Sequence, residues 1–282
     1  MKKIAAWFCI WILLFGGAAA LAQKAEETPP PDLQALYDGR VTASYWVEIP
    51  GRVRPVLYYA QNDPVWGDVP FKRRDKSHHP GRTIALSGCE PTAMAIVLRH
   101  LLTDEELMSL FELSFLERGL DFCICSAAPF GCSKKHEQYP VDSQEKLSRY
   151  FAVVMAGFAG GNNPIGLGGH NTINMITHAY DLEYRRTGDD QEAVKAIDRG
   201  AIAIISSGSN TSAISATGHY LTLMGSDEEY LYFLDPFLRD SYEETDRNRV
   251  IELISPGYFR VKRENQQALV ITGYLLFEPR NQ

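Results

Sequence analysis

Three side chains able to run acyl transfer stand in one order along the chain, Cys89, His219 and Asp235, with 130 positions from the first to the second. Cys89 lies in Leu86-Ser-Gly-Cys-Glu-Pro-Thr-Ala-Met-Ala-Ile-Val-Leu98, at the head of an apolar run. The thiolate, not the thiol, is the nucleophile, so a catalytic cysteine needs surroundings that favour negative charge. A helix N-terminus offers them: partial positive charge and backbone N–H groups without intrahelical partners. Pro91, a residue favoured in the first helical turn, marks that terminus. The same N–H groups suit a developing oxyanion.

A base must come from elsewhere, on a rigid element. Thr217-Gly-His-Tyr-Leu-Thr-Leu-Met224 sets His219 at the start of a strand, after a loop rich in Ser, Thr and Gly. Tyr230-Leu-Tyr-Phe-Leu-Asp-Pro236 ends a partner strand in Asp235. A turn around Asp227 and Glu228 brings both to the same open end of a hairpin, where the acid would hold the imidazole tautomer and support its positive charge. The register of that hairpin is left open by the sequence. Gln61, in Tyr58-Tyr-Ala-Gln-Asn-Asp-Pro-Val-Trp66, adds an amide that suits an oxyanion donor.

The elements that must carry these residues divide into helices first and strands later. Met94, Val97, Leu98, Leu101 and Leu102 fall on one face of a helix after Cys89 that ends near Leu102. Thr103-Asp-Glu-Glu106 is a capping box for a second helix. Asp142 opens a third, running to about Met155; Asn171 to Tyr180 and Asp190 to Arg199 read as two more, the last stopped by Gly200. Ser44 to Tyr59 is a strand, turn and strand around Pro50-Gly51. Ala201 to Ile205, Tyr220 to Met224, Tyr230 to Leu234 and Ala268 to Phe277 are strands. This is the pattern of an α+β fold.

Taken together, Tyr59-Ala-Gln-Asn-Asp-Pro-Val-Trp66, Ser87-Gly-Cys-Glu-Pro-Thr-Ala-Met94, Gly200-Ala-Ile-Ala-Ile-Ile205, Gly218-His-Tyr-Leu-Thr-Leu-Met-Gly225 and Leu234-Asp-Pro236 resemble the successive motifs of the C-39-like cysteine peptidases, of the papain-like clan. The resemblance covers about residues 57 to 240. It implies a papain-like α+β fold over 36–282, with a helical part first and an antiparallel sheet later. It also implies Cys89 as nucleophile, His219 as base, Asp235 as orienter and Gln61 as oxyanion donor. The best-known members are cytoplasm-facing domains of exporters that cut double-glycine leaders. This chain shows no transporter, so that specificity does not carry over.

Composition sets the compartment and excludes some partners. Of the 282 residues 45% are hydrophobic and 22% charged, the balance of a globular chain. Met1-Lys2-Lys3, an apolar stretch from Ile4 to Leu14 and small residues to Ala22 form a secretory signal over 1–22, cleaved after Ala22. The apolar stretch is short for a spanning helix, so no stable membrane insertion follows cleavage. Residues 23–35 read as a polar, proline-rich linker. The mature chain keeps 26 basic residues against 35 acidic, a net charge of −9 that is a poor match to nucleic acid; a peptide or protein substrate is what the resemblance implies. The expected product is a secreted or cell-surface protein.

Each residue also has a plainer reading. A cysteine before an apolar helix is often core, Asp235-Pro236 is a strand-ending turn, and Gln61 is a surface amide. Cys89, Cys123, Cys125 and Cys132 form an even set that suits disulfides in an exported chain; a bridge on Cys89 would block the enzyme. Cys123, Cys125, Cys132 and His136 also supply four zinc-type ligands, although no cofactor or catalytic metal is expected. His78-His79 reads as a solvated loop, and His170 as loop packing. Three functions remain open: a cysteine peptidase, an amidase or acyl transferase on cell-wall peptides, and a peptide-binding module without catalysis.

Overall fold

A computed structural model of the chain describes residues 44–64, 67, 83–103, 105–107, 177–178, 180–239, 241–242 and 248–280. The cysteine loop with Cys123, Cys125, Cys132 and His136, the helix expected from Asp142, His78-His79, His170, the 1–22 signal and the 23–35 linker lie outside those residues.

Strands β1 (Tyr45–Val47) and β2 (Val56–Tyr58) form an antiparallel pair with Trp46 opposite Leu57. The four-residue helix α1 (Ile84–Ser87) leads through Gly88 into α2 (Cys89–Leu101). Strand β3 (Tyr184–Thr187), helix α3 (Asp190–Asp198), β4 (Ile202–Ser207), β5 (His219–Ser226) and β6 (Tyr230–Leu234) follow. Then come β7 (Glu252–Ser255), β8 (Tyr258–Lys262) and β9 (Ile271–Phe277). Seven strands make one sheet, in the order β3-β9-β4-β5-β6-β8-β7, every neighbour antiparallel. Helices and a large antiparallel sheet make the described residues α+β, as the sequence suggests.

The sheet is buried on both sides. Helix α2 packs against β2, β4 and β5, in a cluster that includes Met94, Ile204, Met224, Leu234 and Leu275. A second cluster holds Ala193, Ile197, Leu221, Phe233 and Phe259 and takes in α3. Helix α2 is buried from Pro91 through Leu98, nearly all round, where its sequence suggests a single apolar face. It packs against both β2 and the large sheet, so little of its surface is left for a polar stripe.

Local signals set the element ends. Asp189 Oδ1 caps α3, accepting from Gln191 N at 2.8 Å and Glu192 N at 3.1 Å. The capping box at Thr103 is reciprocal: Thr103 N donates to Glu106 Oε2 at 2.8 Å, and Glu106 N donates to Thr103 Oγ1 at 3.2 Å. Strands β3, β7 and β8 are additions to the sequence reading. The last two form a hairpin around Pro256-Gly257, and Gly257 takes a left-handed φ of 77°.

Candidate active site

Cys89 is the first residue of α2, partly exposed and free of any disulfide. Gly88 makes this placement possible: its N–H bonds the Ile84 carbonyl at 2.7 Å, closing α1. A Cβ on Gly88 would stand 2.6 Å from both Ile84 O and Ile84 Cγ2, so only glycine lets α1 turn directly into α2. Pro91, third in the helix, has no N–H to leave unpaired, and Thr92 N already bonds Gly88 O at 3.0 Å. The first-turn N–H groups therefore belong to Cys89 and Glu90.

His219 opens β5 and is buried. Its Nε2 lies 2.5 Å from Asp235 Oδ1, and Cys89 is its other side-chain hydrogen-bond partner, which leaves Nδ1 for the sulfur. Burial works against the charged ring, but the Asp235 carboxylate, by charge and hydrogen bond, outweighs it, and Cys89 adds to the same effect. The imidazolium pKa is pushed up from 6.5 to about 10.

Asp235 is completely buried and fully bonded. Oδ1 accepts from His219 and from Phe237 N at 2.8 Å, and Oδ2 accepts from Arg239 Nε at 3.0 Å and Tyr242 OH at 2.9 Å. Burial alone would raise its pKa; the charge and hydrogen bond of His219, then Arg239, reverse that and hold it below the ordinary value. Burial, then the Asp235 charge, pushes the Tyr242 hydroxyl far up, so it remains a protonated donor.

The shared face of His219 and Asp235 depends on a slip in the ladder. Beside the hairpin turn Gly225 pairs with Tyr232 and Ser226 with Leu231; past Met224 the register becomes Leu223 with Phe233 and Thr222 with Leu234. Continued without the slip, the first register would put Thr222 opposite Asp235, with His219 on the other face. The extra residue at Met224 reverses that parity, setting Leu221 opposite Asp235 and His219 diagonal to it. The β1–β2 turn sits on this bulge. Arg52 Nε donates to Met224 O, and its terminal nitrogens donate to the Gly200 and Ala201 carbonyls. A Cβ on Gly225 would lie 2.4 Å from Pro50 O.

Gln61 ties the two halves of the site together. Its backbone N donates to Pro236 O at 2.6 Å, and its Nε2 donates to Ala85 O at 2.7 Å in the helix leading to Cys89. It is buried, against its plainer reading as a surface amide, and its Oε1 has no partner among the described residues. Tyr58 OH bonds Asp235 O at 2.7 Å, and Asn62 Oδ1 accepts from Leu238 N at 2.8 Å. Cys89, His219 and Asp235 thus form one hydrogen-bonded chain, with Gln61 at its border. The sequence reading gives Arg239, Tyr242 and Tyr58 no role in the site. Only Arg239, four residues after the acid, carried a signal, a weak one outside any helix.

No protein-family model matches the chain, and no curated protein does. Among solved structures the chain is similar to one from Bacillus anthracis provisionally named a C-39-like peptidase, at 14% sequence identity over 76% of this chain and 96% of that one, with a TM-score of 0.34. At that score the two backbones share too little to transfer an activity, and the site stands on its own geometry.

Proposed function

We propose that the chain is a papain-like cysteine hydrolase that cleaves peptide or amide bonds through Cys89, His219 and Asp235. The observation that carries this reading is the His219 imidazole held between a buried, four-times-bonded carboxylate and a free thiol at a helix N-terminus.

The Cys89 sulfur, its proton taken by His219, attacks the substrate carbonyl carbon, and the carbonyl electron pair moves onto oxygen. The Cys89 N–H and the second Nε2–H of Gln61 are the donors assigned to that oxyanion. Collapse breaks the C–N bond as His219 gives its proton to the leaving nitrogen, producing a free amine and a Cys89 thioester. Water then attacks the thioester carbonyl while His219 takes its proton. Expulsion of the sulfur, which recovers that proton, releases the acid. Asp235 stays ionised and holds the ring so that Nδ1 meets the sulfur.

The test is the rate of Cys89 alkylation by iodoacetamide across pH, located by mass spectrometry, in wild type and His219→Ala. Labelling that persists below pH 7 and drops in the variant supports an activated pair. Equal profiles would favour a binding module that keeps the fold without the chemistry. Export is proposed from the Met1–Ala22 pattern; protein recovered outside cells should begin at Gln23, and material that still begins at Met1 would sink the cleaved signal.

A further inference from the structure

Asp235 serves two cations at once. Its Oδ1 meets the His219 ring, and its Oδ2 accepts from Arg239 Nε at 3.0 Å. The Arg239 guanidinium is held as well as charged: its carbon lies 5.3 Å from the centre of the Phe237 ring and 5.1 Å from that of Tyr242, and its side chain is 27% exposed. A planar guanidinium suits such aromatic neighbours better than a compact ammonium does. Tyr242 OH bonds the same Oδ2 at 2.9 Å, so the ring beside Arg239 is tied to the acid too. Among the described residues, the titratable groups that face His219 and Asp235 are Cys89 from α2, Tyr58 from β2, and Arg239 and Tyr242 from the turn after β6. Burial keeps both tyrosines protonated and neutral. With Cys89 ionised, the thiolate, the imidazolium and the carboxylate together carry one net negative charge, and Arg239 cancels it.

We infer that Arg239 is a positioning residue that acts on His219 through Asp235: by sharing the carboxylate, it loosens the proton that His219 must give to the leaving nitrogen. This rests on the hydrolase reading above. An unshared carboxylate would bind the imidazolium more tightly, and a second cation beside it weakens that hold. The effect bears on one step above all. When the C–N bond breaks, the amine takes the proton from His219 Nδ1, whereas an aryl ester expels a stable phenolate that needs none. A residue that merely kept Asp235 in place would affect both substrates alike and would not depend on its charge.

The test is the titration of the His219 ring, followed by ring-nitrogen NMR in wild type, Arg239→Gln and Arg239→Lys. Glutamine keeps a donor without the charge; lysine keeps the charge without the planar fork. At the pH where half of the wild-type rings have lost their proton, about nine-tenths of the Arg239→Gln rings are expected to retain it, an upward shift of about one pH unit. Arg239→Lys is expected to move by less than about a third of that. Arg239→Ala serves in place of the glutamine variant if that one does not fold. In turnover, Arg239→Gln is expected to lower the rate on labelled casein relative to that on p-nitrophenyl acetate about fivefold. Each ratio is internal to one protein, so a general loss of active enzyme does not enter. A folded Arg239→Gln that titrates as wild type does, or a lysine variant that moves as far as the glutamine one, overturns the inference alone. A wild type that hydrolyses neither probe overturns the hydrolase reading and the leaving-nitrogen role with it, while the titration still decides whether Arg239 acts on His219.

Discussion

Arg52 donates its Nε–H to the carbonyl of Met224, the residue at which β5 slips against β6. A turn more than 160 positions upstream thus grips the bulge that lets His219 and Asp235 share a face. Burial lowers the guanidinium pKa to about 10, and its hydrogen bonds go to the backbone carbonyls of Met224, Gly200 and Ala201. Arg52→Met should therefore strand three carbonyls and lower stability by about 3 kcal/mol in urea unfolding. Hydrolysis should fall with it even where the variant is fully folded. Arg52→Lys should recover only part, because an ammonium cannot reproduce the three-way fork. A folded Arg52→Met with wild-type kcat would show that the bulge holds its place unaided.

Asp235 is the site's most heavily bonded group. Asp235→Ala leaves His219, Arg239 and Tyr242 without their common acceptor, so a stability loss of about 3–5 kcal/mol and a fall in kcat of about 10²–10⁴-fold are expected. Tyr242→Phe removes one donor and should cost about 1 kcal/mol. Chemical denaturation and turnover on one peptide check both, and equal penalties would contradict this ranking.

Stability should depend on pH through the same pair. The His219 pKa is raised on folding, so its contribution is complete below the ordinary value of 6.5 and is lost as pH climbs through about 10. The Asp235 pKa is lowered, so its contribution is present above the ordinary 3.8 and is lost as pH falls through its folded value. Melting temperature should be highest between those limits. In His219→Ala the alkaline fall should flatten; an unchanged alkaline limb would place its cause elsewhere.

Gln61→Ala should slow hydrolysis by about 10²–10³-fold, the cost of one oxyanion donor. Iodoacetamide alkylation builds no oxyanion and should change far less. Parallel losses in both assays would instead mean that Gln61 acts by holding Ala85 and Pro236, and thereby the placement of Cys89.

Much of this site is local and so legible in the residues. A helix beginning at Cys89, a strand opening on His219 and another ending before Asp235 follow from glycine, proline and apolar runs a few positions long. The capping box at Thr103 follows in the same way. Strands β7 and β8 were hidden because Glu252–Ser255 and Tyr258–Lys262 mix charged and apolar residues without strong alternation. Helix α2 kept only part of its periodicity because it is covered from several sides.

By itself the sequence determined which side chains are available for acyl transfer and on which ends of which elements they stand. The tertiary structure decided which of them meet. In β5 Leu221 through Gly225 are all buried, so no alternation marks which face His219 takes, and one extra residue at Met224 settles it. The acceptors and donors of Asp235 come from Tyr58, His219, Arg239 and Tyr242, brought together by strand register and a packed turn. Tyr58 reaches the acid's backbone from 177 positions away, and even the nearby Arg239 and Tyr242 act through burial and geometry that no short window of residues contains.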